Sequence, residues 1–364
     1  MLRKLLASSI AATTAVLSCH TFGQSQNGQQ TIEEIEVFAD SRRAEGLTNV
    51  NAAISVLGEE ELDLILQTHY QEALARVPGF SGNRNNGQES LMALRSPVLT
   101  GAGACGAFLI AENGIPVRSA GFCNVNEMFD THSEYAQSIE VIRGPASAFW
   151  GSNALHGLIN VQLPDPGEVG ELTLEQGPRG SYRTKAAIGS DSGNFKQSLY
   201  LTGINEEGYR DDSGVDQQKA SWLYEYTLSS GIKMEGGFTY NNLNQETAGY
   251  VAGTKAYEDG NKRGTNPNPE AYRDSQSLRA WTRFTMESGG WDFTATPYFR
   301  DVNMNFVQHF LPGQPIEDTE HRSFGIQLAA FRELTNDSSF TWGIDAENTD
   351  GSLKQDQPNP TTGS

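Results

Sequence analysis

Cysteine and histidine are the side chains most able to bind a metal or carry redox chemistry, and in this 364-residue chain their spacing supports neither role. Cys105 and Cys123 are far apart in sequence and have no histidine pair nearby, so a zinc site lacks its ligand set. His69, His132, His156, His309 and His321 fall at intervals with no ligand spacing and read as surface or loop residues. No GxSxG or HExxH run occurs, and the carboxylates are scattered. The residues therefore predict no catalytic centre, no metal and no cofactor, and the chain reads as a non-enzyme. A formal charge of −19 and a pI near 4.7 exclude nucleic acid as a partner, because phosphate binding needs clustered Lys and Arg.

What Cys105 and Cys123 can do depends on where the chain goes. Arg3 and Lys4 precede an alanine-rich apolar run over residues 5–17, and small or polar residues follow to Gly23 and Gln24. That is a secretory signal over residues 1–23, too short to span a membrane. Cys19 leaves a lipoprotein acylation site as the alternative. After cleavage Cys105 and Cys123 remain as a lone pair in an oxidising compartment, which predicts a disulfide worth roughly 3 kcal/mol in the chain-entropy model. Two unrelated thiols are the other reading.

Residues 138–164 read SIEVIRGPASAFWGSNALHGLINVQLP. A β-branched run over residues 139–142 predicts a strand, Gly144 and Pro145 break it, and residues 158–163 resume as a second strand. Alone, this would also suit a hairpin in a soluble β domain. The stretch resembles IEVxRGPxSxxxGxxAxxGxINV, with which the plug domain of TonB-dependent outer-membrane transporters ends. Ile139, Glu140, Val141, Arg143, Gly144, Pro145, Ser147, Gly151, Ala154, Gly157, Ile159, Asn160 and Val161 all fall on that pattern. Glu140 and Arg143 are expected to anchor the plug to a barrel wall by charge-assisted hydrogen bonds, or else to form a solvated pair.

Other segments extend the resemblance. Glu34, Ile35, Glu36, Val37, Phe38 and Ala39 resemble a TonB box, an accessible extended segment that pairs by strand addition with the periplasmic protein TonB. In that register Ile35, Val37 and Ala39 are the apolar anchors and Phe38 faces away. Residues 24–48 then form a periplasmic N-terminal segment and residues 49–165 the plug, an α+β domain. Residues 54–57 predict a strand and 59–66 a helix. Thr68, with Gln71 at capping-box spacing, opens a second helix that ends at residues 77–79. Residues 71–80 (QEALARVPGF) and 108–117 (FLIAENGIPV) resemble the plug's VPG turn and its VDGVPV hairpin. Two departures are Leu94-Arg95-Ser96 in place of IRG, and Glu112-Asn113 in place of the hairpin's aspartate.

From residue 166 to 364 the pattern changes to alternation. Trp291, Phe293, Ala295, Pro297 and Phe299 face one way, and Asp292, Thr294, Thr296, Tyr298 and Arg300 the other, as in a strand with lipid outside and water inside. Ala220, Trp222, Tyr224, Tyr226 and Leu228 repeat the pattern, as do Ile232, Met234, Phe238 and Tyr240, and Phe340, Trp342, Ile344 and Ala346. Short turns at 190–194, 229–230, 288–289 and 335–337 alternate with long loops at 205–218, 242–276 and 301–321, which a secreted sandwich would not require. This predicts about nine antiparallel transmembrane barrel strands before a polar segment at 350–364, against the roughly 22 that enclose a plug of this size. The barrel is thus expected to be incomplete, the chain being an N-terminal portion of a longer protein or a truncated reading frame.

The resemblance implies a receptor in the Gram-negative outer membrane, embedded in its lipid, that binds a scarce small molecule such as a metal chelate. Import would draw on TonB and its inner-membrane energising complex. Ferric siderophores are the commonest cargo of the family. Residues 83–88, 101–106 and 118–124 read as plug apex loops, with Asn85, Asn86, Gln88, Arg118 and Phe122 as the ligand-contacting candidates. An exported β-rich binding or adhesin-like protein without active transport is the alternative.

Overall fold

The computed structural model describes residues 36–39, 42, 45–47, 50, 52–97, 105–125, 127–335 and 338–357. The expected signal peptide, Glu34 and Ile35 lie outside the described residues. Two strands, β1 (Glu36–Val37) and β2 (Glu45–Gly46), pair antiparallel at the start. There follow β3 (Ile54–Gly58), α1 (Glu59–Ile65), α2 (Tyr70–Leu74), β4 (Phe80–Arg84), β5 (Ser90–Leu94), β6 (Leu109–Glu112), β7 (Ile115–Pro116), β8 (Ser138–Arg143), α3 (Ser147–Trp150) and β9 (Gly157–Gln162).

A five-stranded sheet in the order β3-β8-β9-β6-β7 is the frame of this first part, with β4 and β5 as a separate pair. β6 and β9 run parallel; the other neighbours are antiparallel. Period-two alternation gives the sheet two apolar faces. Phe108, Ile110, Ile139, Val141, Ile159 and Val161 enter the larger core with α2 and the Met128–Phe129 turn. Leu109, Ala111, Ile142 and Leu158 face a smaller core completed by Trp150, Ala154 and Ala39, with Phe38 packed on it. Glu140 and Asn160 sit between members of this second set, so a carboxylate and an amide are buried in an apolar face and require donors.

One local expectation shifts and one departure is explained. The second helix is capped not by Thr68 but by His69, whose Nδ1 accepts from the Gln71 amide at 3.1 Å. Thr68 instead donates its own amide to Glu72 at 3.0 Å, because the helix starts one residue later. The hairpin β6–β7 turns through Asn113 (φ 49) and Gly114 (φ 79). Asn-Gly with both φ positive matches the twist of a two-residue hairpin, so Asn113 in place of the hairpin's aspartate suits the turn.

The second part is one antiparallel sheet in sequence order. Its strands are β10 (Gly170–Gln176), β11 (Tyr182–Asp191), β12 (Phe195–Glu206), β13 (Val215–Thr227), β14 (Lys233–Glu246), β15 (Tyr272–Ser288), β16 (Trp291–Val307), β17 (Ile316–Thr335) and β18 (Ser338–Asp356). Trp222, Phe238, Phe284, Phe324 and Trp342 are exposed on one face, whereas Gln217, Lys219, Ser221, Asn241, Arg279 and Arg300 are buried on the other. Apolar outside and polar inside is the transmembrane-barrel pattern, and the inner face lies against the plug. No helix among the described residues is long and apolar enough to cross a membrane.

Strand ends reach beyond the expected loops, which contract to residues 207–214, 247–271 and 308–315. Residues 350–356, expected in a polar tail, belong to β18. Apolar alternation cannot mark these ends because both faces are polar there, yet the ladder continues and side-chain amides reinforce it. Asn242 Nδ2 donates to Gln218 at 2.7 Å and Gln276 Nε2 to Asn242 at 3.0 Å.

Candidate functional site

The segment expected to be an accessible extended strand is docked instead. Val37 is 1% exposed, and Ala39 is fully buried in the smaller plug core. The Glu140 carboxylate accepts from the amides of Phe38 and Ala39, each at 2.8 Å, and from Asn160 Nδ2 at 3.1 Å. Trp150 Nε1 donates to the Ala39 carbonyl at 2.7 Å. Arg42 stacks on the Trp150 ring at 4.5 Å and forms a two-pronged pair with Asp345 of β18 at 2.8 and 2.7 Å. Phe38 does not face away: its ring lies 4.5 Å from the Arg283 guanidinium and against the hairpin, where a Cβ on Gly114 would come within 2.7 Å of it.

The expected role of Glu140 and Arg143 as anchors to the wall is corrected by the same contacts. β8 is an interior strand of the plug sheet, and the face that carries Glu140 is covered by the smaller plug core, so its carboxylate meets plug groups rather than the barrel. Burial raises the Glu140 carboxyl above its usual range, opposed by its amide donors. Arg143 reaches the carbonyls of Pro78 and Ile54, both at 3.4 Å. Gly144 accepts the chain's break with φ 144, and Gly157, with φ 151, sits so close to the Ile142 carbonyl that a Cβ has no room. Asn160 links the docked segment to the hairpin, since its Oδ1 accepts from the Gly114 amide at 3.0 Å.

The wall is held by other residues. Glu112 Oε1 accepts from Arg279 at 3.1 Å and Oε2 from the His132 amide at 2.7 Å. Arg279 also donates to the Asp130 carbonyl at 2.6 Å. Lys219 Nζ donates to Glu134 at 2.9 Å and to the Thr131 carbonyl at 2.7 Å. His321 is corrected from a loop or surface residue to a buried one in β17, whereas His69 and His132 lie in connecting segments as expected but are buried there. His132 lies between Ser221 Oγ at 2.7 Å and Thr202 Oγ1 at 2.8 Å, and His321 Nδ1 faces Ser119 Oγ at 3.1 Å. Burial holds His132 down to about 4 and His69 to about 3, so both are uncharged at neutral pH. An isolated Arg or Lys at an inward strand position, such as Lys219 or Arg279, was the available signal for this interface.

Two plug acids make the interface pH-dependent. Burial pushes Glu127 up to about 7, with the Asp130 charge adding to it, and pushes Asp130 up to about 6. A carboxyl raised on folding holds its proton more tightly in the native state. The contribution of these two acids to native stability is therefore greatest below the ordinary carboxylate range and is lost as pH rises through 6 to 7. Glu127→Gln keeps an acceptor for the Asn124 amide, which lies at 2.9 Å. This change should stabilise the full-length receptor by about 3 kcal/mol at pH 8 and by almost nothing at pH 4, measured by thermal unfolding at both values. An equal gain at both would contradict the assignment.

Between the first part's loops around Asn85 and Phe122 and the loops and strand ends of the large sheet lies a cavity of about 580 Å³. Phe122, Val125, Tyr250, Val307, Phe310, Leu311 and Leu353 supply its apolar walls, and Asn85, Asn124, Gln308 and His309 its neutral polar groups. Its charged groups are Glu89, Arg273 and Glu317. Arg273 Nε donates to Glu89 Oε1 at 2.6 Å, while Glu317 accepts from Gln308 at 2.5 Å, Gln355 at 2.6 Å and Thr319 at 3.3 Å. Of the sequence candidates, Asn85 and Phe122 line this cavity. Asn86 donates to the Ala248 carbonyl at 2.5 Å and Arg118 to the Phe108 carbonyl at 2.9 Å, so both side chains are used within the protein, while Gln88 is buried with its main-chain N–H donating to Gln245 at 2.8 Å.

A Cys105–Cys123 disulfide, Cα–Cα 6.3 Å, ties the loop that carries Gly121 to Val125 into the cavity. Mass spectrometry of the periplasmically exported protein should find neither thiol free until reductant is added; two free thiols would overturn this. Opening the loop should cost roughly 3 kcal/mol of plug stability.

Comparison with known proteins follows this geometry. The TonB-dependent receptor plug domain family matches residues 47–158. The vitamin B12 transporter BtuB of Photobacterium profundum is 29% identical over 169 residues, covering 45% of this chain and 26% of that protein. The unliganded ferric citrate transporter FecA superposes with a TM-score of 0.72 at 15% identity, covering 88% of this chain and 50% of that one. The ferric yersiniabactin uptake receptor FyuA from Yersinia pestis gives 0.67 at 16% identity, covering 85% and 50%. The chain thus spans about a quarter of the curated relative and half of each solved structure.

Proposed function

Because the chain belongs to the TonB-dependent receptor family and has its outer-membrane plug-and-barrel fold, we propose that it binds a scarce solute in the apex cavity and imports it under TonB control. The solute is a metal chelate of the ferric siderophore kind or a comparable complex. Residues 34–39 are the coupling segment, exported behind a signal peptide over residues 1–23. Support comes from one observation above all: the backbone of residues 38–39 is held on the plug motif by Glu140 and Trp150, with Asn160 bracing Glu140, while the Phe38 ring also meets Arg283 of the wall.

In this reading the docked state is the resting state. Asn160 and the hairpin β6–β7 join the Glu140 clamp to Ser119 and the Gly121 to Val125 loop, so ligand contact at Phe122 and release at Ala39 act on one continuous set of contacts. A bistable element biased from both ends is what such coupling requires. Freed, residues 34–39 add as a strand to TonB, and the pull on the plug opens a path. The energy comes from the inner-membrane gradient through TonB.

The test is uptake of an iron-loaded siderophore by cells carrying the full-length receptor, with and without TonB. Surface binding in both strains and internalisation only with TonB is the expected result. Equal internalisation in both would refute the proposal.

A further inference from the structure

We propose that the apex cavity selects an uncharged or cationic solute with an apolar face and rejects anionic chelates, an inference that rests on the import reading above. The walls dictate the apolar face: Phe122, Tyr250 and Phe310 present rings, and Val307, Leu311 and Leu353 fill between them. A ligand that leaves such surface wet gains little, so complementarity requires apolar or aromatic area.

Charge makes the finer selection. The one cation among the described lining residues is Arg273, and it is already committed to Glu89 at 2.6 Å, with both side chains nearly buried. Its guanidinium also stacks on Phe306 at 4.0 Å. Glu317 has no cation among its described contacts, only Gln308, Gln355 and Thr319. The cavity therefore carries a net negative charge. An anionic chelate would lose its hydration without gaining a counter-charge, and would face the Glu317 carboxylate in a low-dielectric space. A ligand ammonium meets the opposite situation.

His309 adds a neutral polar contact. Neither of its ring nitrogens has a hydrogen-bond partner, although both are buried, and the ring sits 5.8 Å from Tyr250 and 5.6 Å from Phe310. Burial lowers its pKa, which keeps the ring neutral, able to donate one hydrogen bond and accept another. Amide or hydroxamate groups of an uncharged ligand match that pairing.

The probes are three ferric trihydroxamates that differ only at one terminus: a free ammonium, its acetamide and its succinyl carboxylate. Isothermal titration with the full-length receptor in detergent should show the first two binding and the carboxylate at least about tenfold weaker. Glu317→Gln should narrow the gap to within about threefold. Equal or tighter binding of the carboxylate, a gap that survives Glu317→Gln, or no binding by any of the three overturns the selectivity. Uptake with and without TonB separates the two readings. TonB-dependent import of the carboxylate probe sinks the selectivity and leaves the import reading standing. The expected charge order in binding, with uptake indifferent to TonB, does the reverse.

Discussion

Val37→Pro in the full-length receptor is expected to abolish uptake and leave surface binding of the solute unchanged. Strand addition depends on main-chain N–H and C=O groups, and proline removes a donor while fixing φ. Two or three lost or strained hydrogen bonds at about 1 kcal/mol each weaken a modest-affinity contact by about 10- to 100-fold or more. Binding survives because the cavity residues are remote in sequence from Val37 and held by their own disulfide and wall contacts. Phe38→Ala is the informative control. It removes the ring packed between Gly114 and Arg283 but no backbone donor, so it should loosen the resting dock and retain most of the transport. Uptake and binding measured separately in cells distinguish the two variants. Normal transport by Val37→Pro would mean that residues 34–39 are not the coupling segment.

Arg279→Ala should destabilise the docked plug by about 3–5 kcal/mol, because it leaves Glu112 buried beside the wall without its cation. The double variant Arg279→Met with Glu112→Gln should recover most of the loss, since it removes both charges at similar volume. Thermal unfolding of the full-length receptor compares the three proteins. The pH dependence has a fixed sign. Burial would raise Glu112, but Arg279 and the His132 amide outweigh it and hold the carboxyl below its ordinary value. Its contribution is present above the ordinary carboxylate range and is lost as pH falls through the depressed value. The gap between native and Arg279→Ala proteins should close in strong acid. A single variant as stable as the native protein at neutral pH would contradict the buried lock.

Much of the frame was legible in the residues. The run from Ile139 to Val161 carries β-branched strands around a glycine and proline break, and it became β8 and β9. Strict alternation from Trp291 to Arg300 became the outer and inner faces of β16, because a sheet with lipid on one side and a plug on the other repeats its chemistry every second residue. What stayed hidden depends on pairing across the chain. Glu140 looks like a wall anchor until the fold places it on the face of the smaller plug core, where the Phe38 and Ala39 amides and Asn160 satisfy it. His132 is a loop residue, as its sequence context suggests, but nothing local shows that Ser221 and Thr202 close on it. The polar ends of β14 and β15 have no apolar period to read, although their ladder is intact. The cavity escaped notice beyond Asn85 and Phe122 because Tyr250, Arg273, His309 and Phe310 come from separate strands and loops that only the folded sheet brings together.

Cysteine cross-linking at the docked segment tests the account most directly. Glu36→Cys, Val37→Cys, Phe38→Cys and Ala39→Cys are placed one at a time in the full-length receptor, in cells whose TonB carries a single cysteine in its C-terminal domain. Without solute the dock on Glu140 and Trp150 should keep cross-links low; with an iron-loaded siderophore that the receptor binds, at least Val37→Cys and one neighbour should cross-link strongly to TonB. Cross-links absent at all four positions with solute bound, or equal with and without it, would contradict the central claim.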